Sequence, residues 1–313
     1  MTRIAVVAVG GNALTLEGEQ GTWQQISRNA AIMAGAISRV LDDGWQVVVV
    51  HGNGPQVGAL AVAQEEAAGQ VPPQPLHLLT AMTQGHLGSL LVQALNSERG
   101  QGAAAAVLSH VEVDPADPAF DCPTKPIGPF IAASRADPVA TAGGWTLVED
   151  SGRGYRRVVA SPTPIRVLEL AAIEALLQAG VVVVAGGGGG IPVASGTGVD
   201  AVIDKDATAA LLAAGLGASA LLLLTAVDAV RLDFGTAAER AVHDLPVTAA
   251  EQHLASGQFP AGSMGPKVAA AVRFIRSGGQ IAAITCAQLL AATLAGDPTA
   301  GTRIRPEPMA AAR

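Results

Sequence analysis

The chain has 313 residues, half of them hydrophobic and 3% aromatic, with a formal net charge of −7. That apolar content supports a large core and excludes a mainly disordered chain, while the acidic balance and the single Tyr argue against gripping nucleic acid by charge or by base stacking. The two cysteines, Cys122 and Cys286, lie far apart and form neither a disulfide framework nor a metal-ligand spacing.

The first apolar run, Ile4–Val9, is too short for a signal-peptide core with its cleavage site. It predicts a buried strand that ends at Gly10-Gly11. Helical spacing follows over Gln24–Leu41, then a second apolar run at Val47–Val50. Leu76–Leu95 reads as a helix and Ala105–Leu108 as a strand. Ile165–Gln178 reads as a helix, Val181–Val184 as a strand, Met264–Arg276 as a helix and Ile281–Ile284 as a strand. Runs that are apolar throughout, rather than alternating, belong to strands covered on both faces. Their alternation with helices predicts a mostly parallel sheet between helical layers.

Ala207–Val227 carries no charge and is long enough to span a bilayer. Gly215, Gly217 and Ser219 interrupt it, so it reads as a short helix, a stop and a buried strand at Leu221–Leu224. A cytoplasmic protein with no membrane span is expected. From His110 to Pro164 the chain is rich in Pro, Asp, Gly and Arg, with no long helical pattern. This is too long for a plain loop and predicts a small inserted subdomain or lid.

Three strands are followed by glycine clusters: Gly10-Gly11-Asn12, Gly52-Asn53-Gly54, and Gly186 to Gly190. Ligands of open parallel sheets bind at that edge, where glycine lets backbone N–H groups approach an anion. The three together point to a site that handles phosphate. None is a G-x-x-x-x-G-K-[ST] loop or a G-x-G-x-x-G dinucleotide fingerprint.

Of the 19 basic residues only three are lysines: Lys125, Lys205 and Lys267. A compact ammonium on a flexible stem suits a moving phosphoryl oxygen better than a guanidinium fork does. All three stand in segments marked by Gly, Pro or Asp.

Those segments resemble the carbamate kinases of the amino acid kinase family over nearly the whole chain. The resemblance rests on VGGNAL (9–14), HGNGPQVG (51–58), AMTQG (81–85), DPAFDCPTKPIGPF (117–130), GGGGGIPV (186–193), AVIDKD (201–206) and GSMGPKV (262–268). It implies one domain with an αβα sandwich around a mainly parallel sheet of about eight strands, and a lid near residues 117–160. A carbamoyl-substrate half would run to about residue 165 and a nucleotide half over about 166–313. The implied activity is reversible phosphoryl transfer between carbamoyl phosphate and ADP, giving ATP and carbamate, in arginine or purine-derived nitrogen breakdown. The alternatives are a kinase for another small acid and a non-catalytic regulatory homologue. The chain departs from the family pattern at His77, His86, Tyr155 and Ala160, where Asp, Tyr, Trp and Pro are usual.

Phosphoryl transfer needs positioning and charge neutralisation more than covalent work by the protein. Gly10, Gly11, Asn12, Gly52, Asn53 and Gly54 are expected to cradle the carbamoyl phosphate. Amino acid kinases commonly carry a Lys just ahead of the first glycine loop; Arg3–Val9 has none, and the resemblance implies that Lys125 supplies that charge from the lid. Lys205, Asp206 and Lys267 complete the expected catalytic set, with Asp206 orienting the lysines. Gly187, Gly188, Thr225, Met264 and Lys267 would meet the nucleotide. Asp228 reads either as a turn residue or as a ribose contact. Asp204 and Asp206 both suit a helix cap ahead of Ala207–Leu212, and it is the resemblance that favours Asp206 as the organiser. His51 reads as structural. No tightly bound cofactor is expected: ATP or ADP is substrate, and Mg²⁺ would arrive with it. A homodimer is implied by the resemblance alone.

Overall fold

The computed structural model describes residues 3–16, 18–136, 144–149, 154–260 and 262–307. In chain order its strands begin with β1 (Arg3–Val9), β2 (Trp45–His51), β3 (Ala104–Ala106) and β4 (His110–Val113). Next come β5 (Lys125–Ile131), β6 (Leu147–Glu149), β7 (Tyr155–Val159), β8 (Pro164–Val167) and β9 (Val182–Val184). The remainder are β10 (Ile191–Ala194), β11 (Thr197–Gly198), β12 (Ala220–Leu224), β13 (Val230–Leu232), β14 (Arg240–Val242), β15 (Asp244–Pro246), β16 (Ile281–Thr285) and β17 (Thr302–Arg305).

Eight of them form the central sheet, in the order β15-β17-β16-β12-β1-β2-β9-β3. Every pair is parallel except β16 with β17. All six runs read as buried strands contribute to it, but the strand expected at Ala105–Leu108 ends at Ala106, and Leu108 is exposed.

The helices are α1 (Gly11–Leu14), α2 (Trp23–Asp42), α3 (Gly54–Ala67), α4 (Leu76–Arg99), α5 (Leu170–Gln178), α6 (Lys205–Gly215), α7 (Val247–Ala255), α8 (Met264–Arg276) and α9 (Leu290–Ala295). Side chains alternate across a strand, so the sheet feeds two cores. Val6 and Ala8 of β1 pack with Ile173 of α5, Leu212 of α6, Ala250 of α7 and Phe274 of α8. Ala5, Val7 and Val9 face the other way, onto Ile37 of α2, Leu91 of α4 and Leu290 of α9. This is an αβα sandwich. Thr22 starts α2 with a capping box to Gln25, and Ile26, Ala30, Met33 and Ile37 repeat at helical spacing on its buried side.

The segment from His110 to Pro164, expected to lack long regular elements, supplies β4 to one smaller sheet and all three strands of another. One is β11-β10-β4-β8 and the other the three-stranded lid sheet β5-β7-β6. Residues 137–143 and 150–153 of that segment lie outside the described residues. The helix read over Ile165–Gln178 begins only at Leu170, because Val167, Arg166 and Pro164 pair with β4 as strand β8. The uncharged Ala207–Val227 stretch is divided between α6 and β12, and among the described residues no helix is long and apolar enough to cross a membrane.

The lid sheet has two faces with different tasks. Ile127 and Val159 join Val57 and Ala61 of α3 and Leu76 and Leu79 of α4 in a third apolar cluster. Pro126, Val148 and Arg156, on the opposite face, line the large cleft described below. At the docking face Gly58 meets Gly128 so closely that a Cβ on Gly58 would lie 1.9 Å from the Gly128 Cα. Backbone cannot swing aside as a side-chain end can. Gly58→Ala is therefore expected to destabilise the protein by the upper end of about 1–3 kcal/mol and to speed cleavage within the lid. Denaturant melts and limited proteolysis measure both, and a wild-type cleavage rate would contradict this docking contact.

Candidate active site

The carboxyl ends of β1, β2 and β12 open into a cleft of about 1210 Å³ that runs beneath the lid. Its floor carries Gly10 after β1, Gly52, Asn53 and Gly54 after β2, and Thr225 after β12. The β1 and β2 loops are tied together where the Gly52 N–H donates to the Val9 carbonyl at 2.8 Å. Asn53 is buried and donates from Nδ2 to the Thr83 hydroxyl at 2.9 Å, which fixes the β2 loop against α4. The backbone of Gly11 and Asn12 opens α1, and the Asn12 side chain lies outside the described residues.

All three lysines of the chain line this cleft, together with Asp204 and Asp206. Lys205 and Asp206 are the first residues of α6, and Lys267 stands in the first turn of α8. Asp206 is 2% exposed and accepts from Lys205 Nζ at 3.0 Å and from Lys267 Nζ at 3.0 Å. Asp204 is the N-cap of α6, and its Oδ1 accepts from the Asp206 and Ala207 N–H groups. Its Oδ2 accepts from Lys125 Nζ at 2.5 Å.

Charge sorts these groups. Burial opposes ionisation of Asp206, yet the adjacent Lys205 and Lys267 hold its carboxyl below the ordinary value. Burial likewise works against Asp204, but Lys125 and Lys205 hold it well below the carboxylate range. Lys205 is buried too, and the two aspartates more than compensate, raising its affinity for the proton. Lys267 differs. Its burial and the neighbouring Lys205 charge outweigh the pull of Asp206 and lower it from 10.5 to about 8.

Two residues expected at the nucleotide are not among those that line the cleft. The Asp228 carboxylate accepts from the Ala229 N–H and from Arg231 and is more than half exposed, as suits a turn residue. Gly187 also stands outside the lining, buried where a Cβ would lie 2.3 Å from the His51 ring. Gly188 does line the cleft, wedged against Asn53. The five-glycine run is thus largely a close-packing device against His51, Asn53, Ile203 and Val111.

His51 itself is 1% exposed, and burial lowers it to about 4, so it stays neutral. Its Nδ1 contacts the Gly52 carbonyl, as suits a structural residue. Met264 lines the cleft, as does half-buried Cys286 after β16, while Cys122 is exposed. His77 pairs with Asp200 and His86 is exposed on α4, and neither lines the cleft. Sequence reading missed Arg156 and Phe234, which also line it.

A sequence model described as the Amino acid kinase family matches residues 3–286. The chain belongs to the amino acid kinase family. Within that family its similarity falls on carbamate kinases. The carbamate kinase of Pyrococcus horikoshii is 41% identical over 318 residues, covering 98% of this chain and 100% of that one. Among solved structures, a carbamate kinase from Giardia lamblia bound to citric acid superposes with a TM-score of 0.92 at 36% identity, covering 98% of this chain and 99% of its own. A structure of the Giardia enzyme bound to AMP-PNP gives a TM-score of 0.88 at 36% identity, over 98% of this amino acid kinase and 99% of that chain.

Proposed function

We propose that this amino acid kinase transfers a phosphoryl group between carbamoyl phosphate and ADP, giving carbamate and ATP. The observation that carries the reading is the convergence of Lys125, Lys205 and Lys267 on one cleft whose floor is made of glycine loops. The relatives named carbamate kinase, one of them bound to an ATP analogue, support it.

In this reading the β1 and β2 loops offer backbone N–H groups to the carbamoyl phosphate. Those loops carry no Arg or Lys for a second carboxylate, which favours a substrate as small as carbamate. Lys267 and Lys205 meet the nucleotide phosphates and the moving group, and Asp206 keeps both ammoniums aimed. Gly188, Thr225 and Met264 border the nucleotide. The phosphorus–oxygen bond to the carbamoyl carboxylate breaks as one to the terminal ADP phosphate forms, and no protein base is needed. Asp204 and Asp206 are both engaged by lysines, so Mg²⁺ is read as entering with the nucleotide.

The substrate half is taken as residues up to about 165 and the nucleotide half as the remainder, in a cytoplasmic enzyme. A homodimer is part of the proposal. Leu78 and Met82, one turn apart on α4, and Leu108, Ile165 and Leu168 are exposed apolar side chains suited to a second copy.

The test is ATP formation from carbamoyl phosphate and ADP, run beside acetyl phosphate and other small acyl phosphates. Activity with another acyl phosphate alone would replace the substrate, and activity with none would remove the catalytic reading. A pH profile probes the site further. Lys267 is charged below about 8 and neutral above it in the free protein. Hence kcat/KM for ADP is expected to fall as pH rises through about 8. Bound phosphates favour the ammonium, so the corresponding fall in kcat lies at higher pH. Coincident limbs would contradict this placement of Lys267.

A further inference from the structure

Asp204 is more than a helix cap. Its carboxylate divides between two tasks on separate parts of the fold. One oxygen is fixed by the Asp206 and Ala207 N–H groups at 2.9 and 3.2 Å, which makes it rigid with respect to α6. The other holds the ammonium of Lys125, which opens β5 of the lid. Helix α6 also carries Lys205 and Asp206, and Asp206 in turn holds Lys267. One carboxylate therefore ties the lid lysine to the helix end from which the other two are aimed.

Capping alone does not call for a carboxylate, since Asn and Ser cap about equally well. What a carboxylate adds is a charged acceptor for an ammonium. Lys125 has three N–H groups, and donating one to Asp204 leaves two for a phosphoryl oxygen. A flexible four-carbon stem held in this way loses its freedom before substrate arrives.

We propose that Asp204 is a positioning residue for phosphoryl transfer: it registers the lid's Lys125 against Lys205 and Lys267, so that all three ammoniums converge on the moving group. The proposal rests on the phosphoryl-transfer reading and goes beyond it, because it assigns to Asp204 an action exerted through Lys125.

Asp204→Asn separates the two tasks, since it keeps the cap and removes the charge. Its melting temperature is expected to fall only modestly: the cap that starts α6 is kept, and what is lost is a charge that the folded state favours. Turnover of carbamoyl phosphate with ADP should fall about 10- to 100-fold, the equivalent of one charged hydrogen bond, with the KM for ADP unchanged. In a Lys125→Ala background the same substitution should cause no further loss, because residues acting as a unit are not additive. Wild-type turnover in Asp204→Asn, or an equal loss in both backgrounds, would overturn the proposal.

A second readout needs no activity. With only three lysines in the chain, lysine-selective ¹³C and ¹⁵N labelling gives three side-chain signals. Asp204→Asn should move the Lys125 signal more than those of Lys205 and Lys267, and an unmoved Lys125 signal would sink the idea. An inactive wild-type protein whose Lys125 signal still responds would instead indict the functional reading.

Discussion

Lys267→Met is expected to lower turnover about 10²- to 10³-fold while leaving the protein folded. The side chain is 7% exposed and its ammonium lies 3.0 Å from Asp206, so it acts where water is excluded and a fixed charge is worth most. Methionine keeps the length and apolar stem. Asp206 still has Lys205 at 3.0 Å, so the substitution leaves no carboxylate stranded. Stability should if anything rise at neutral pH. The proton affinity of Lys267 is lowered in the folded protein, to about 8, so its charged form weighs against folding below that pH. In the wild type, the unfolded chain keeps a proton between about 8 and 10.5 that the folded one has released, and wild-type stability rises with pH across that window. Steady-state turnover and thermal melts report on the two effects separately. Near-normal turnover in a folded Lys267→Met protein would remove the residue from the chemistry.

The second large effect belongs to Asp206→Ala. The substitution leaves the Lys205 and Lys267 ammoniums facing each other, buried and without their shared counter-charge. Removing one partner of a buried ion pair costs about 3–5 kcal/mol, and a loss of that size at pH 7 is expected from denaturant melts. The deficit should shrink as pH rises past the Lys267 midpoint, since one ammonium then sheds its proton. The wild type shows the opposite dependence at the acid end. Asp206 is held below its ordinary proton affinity. Its contribution is complete above the ordinary carboxylate range and is lost as pH falls through its lowered value. A variant that melts like the wild type at pH 7 would show that the lysines do not depend on Asp206.

The central sheet was legible because its strands are buried on both faces and so read as unbroken apolar runs, as at Val47–Val50 and Leu221–Leu224. Strand β8 was not. Its pattern, buried only at Pro164 and Val167, merges with the apolar start of α5 and reads as one longer helix. Helix α3 escaped for another reason: its glycines and alanines give no sharp apolar stripe, and only Val57, Gly58 and Ala61 are buried. The three lysines stood out through scarcity, yet their pairing with two aspartates is a tertiary fact that spacing cannot carry. The glycine run at 186–190 shows the converse. Five glycines read as an anion loop, whereas contact with His51, Ile203 and Val111 requires most of them to lack a Cβ.

Gathering every lysine into one cleft also sets how the protein meets amine-directed reagents. An acylating label finds no lysine on the outer surface, so it modifies this protein in the cleft or not at all, any chain-terminal amine aside. The same holds for isocyanic acid, a breakdown product of carbamoyl phosphate, which adds across an unprotonated amine to leave a urea. Lys205 is kept protonated by its aspartates, whereas Lys267, at about 8, presents free amine at mildly alkaline pH. The decay product of the proposed substrate thus meets its lysine targets inside the cleft, where a bound nucleotide would shield Lys267.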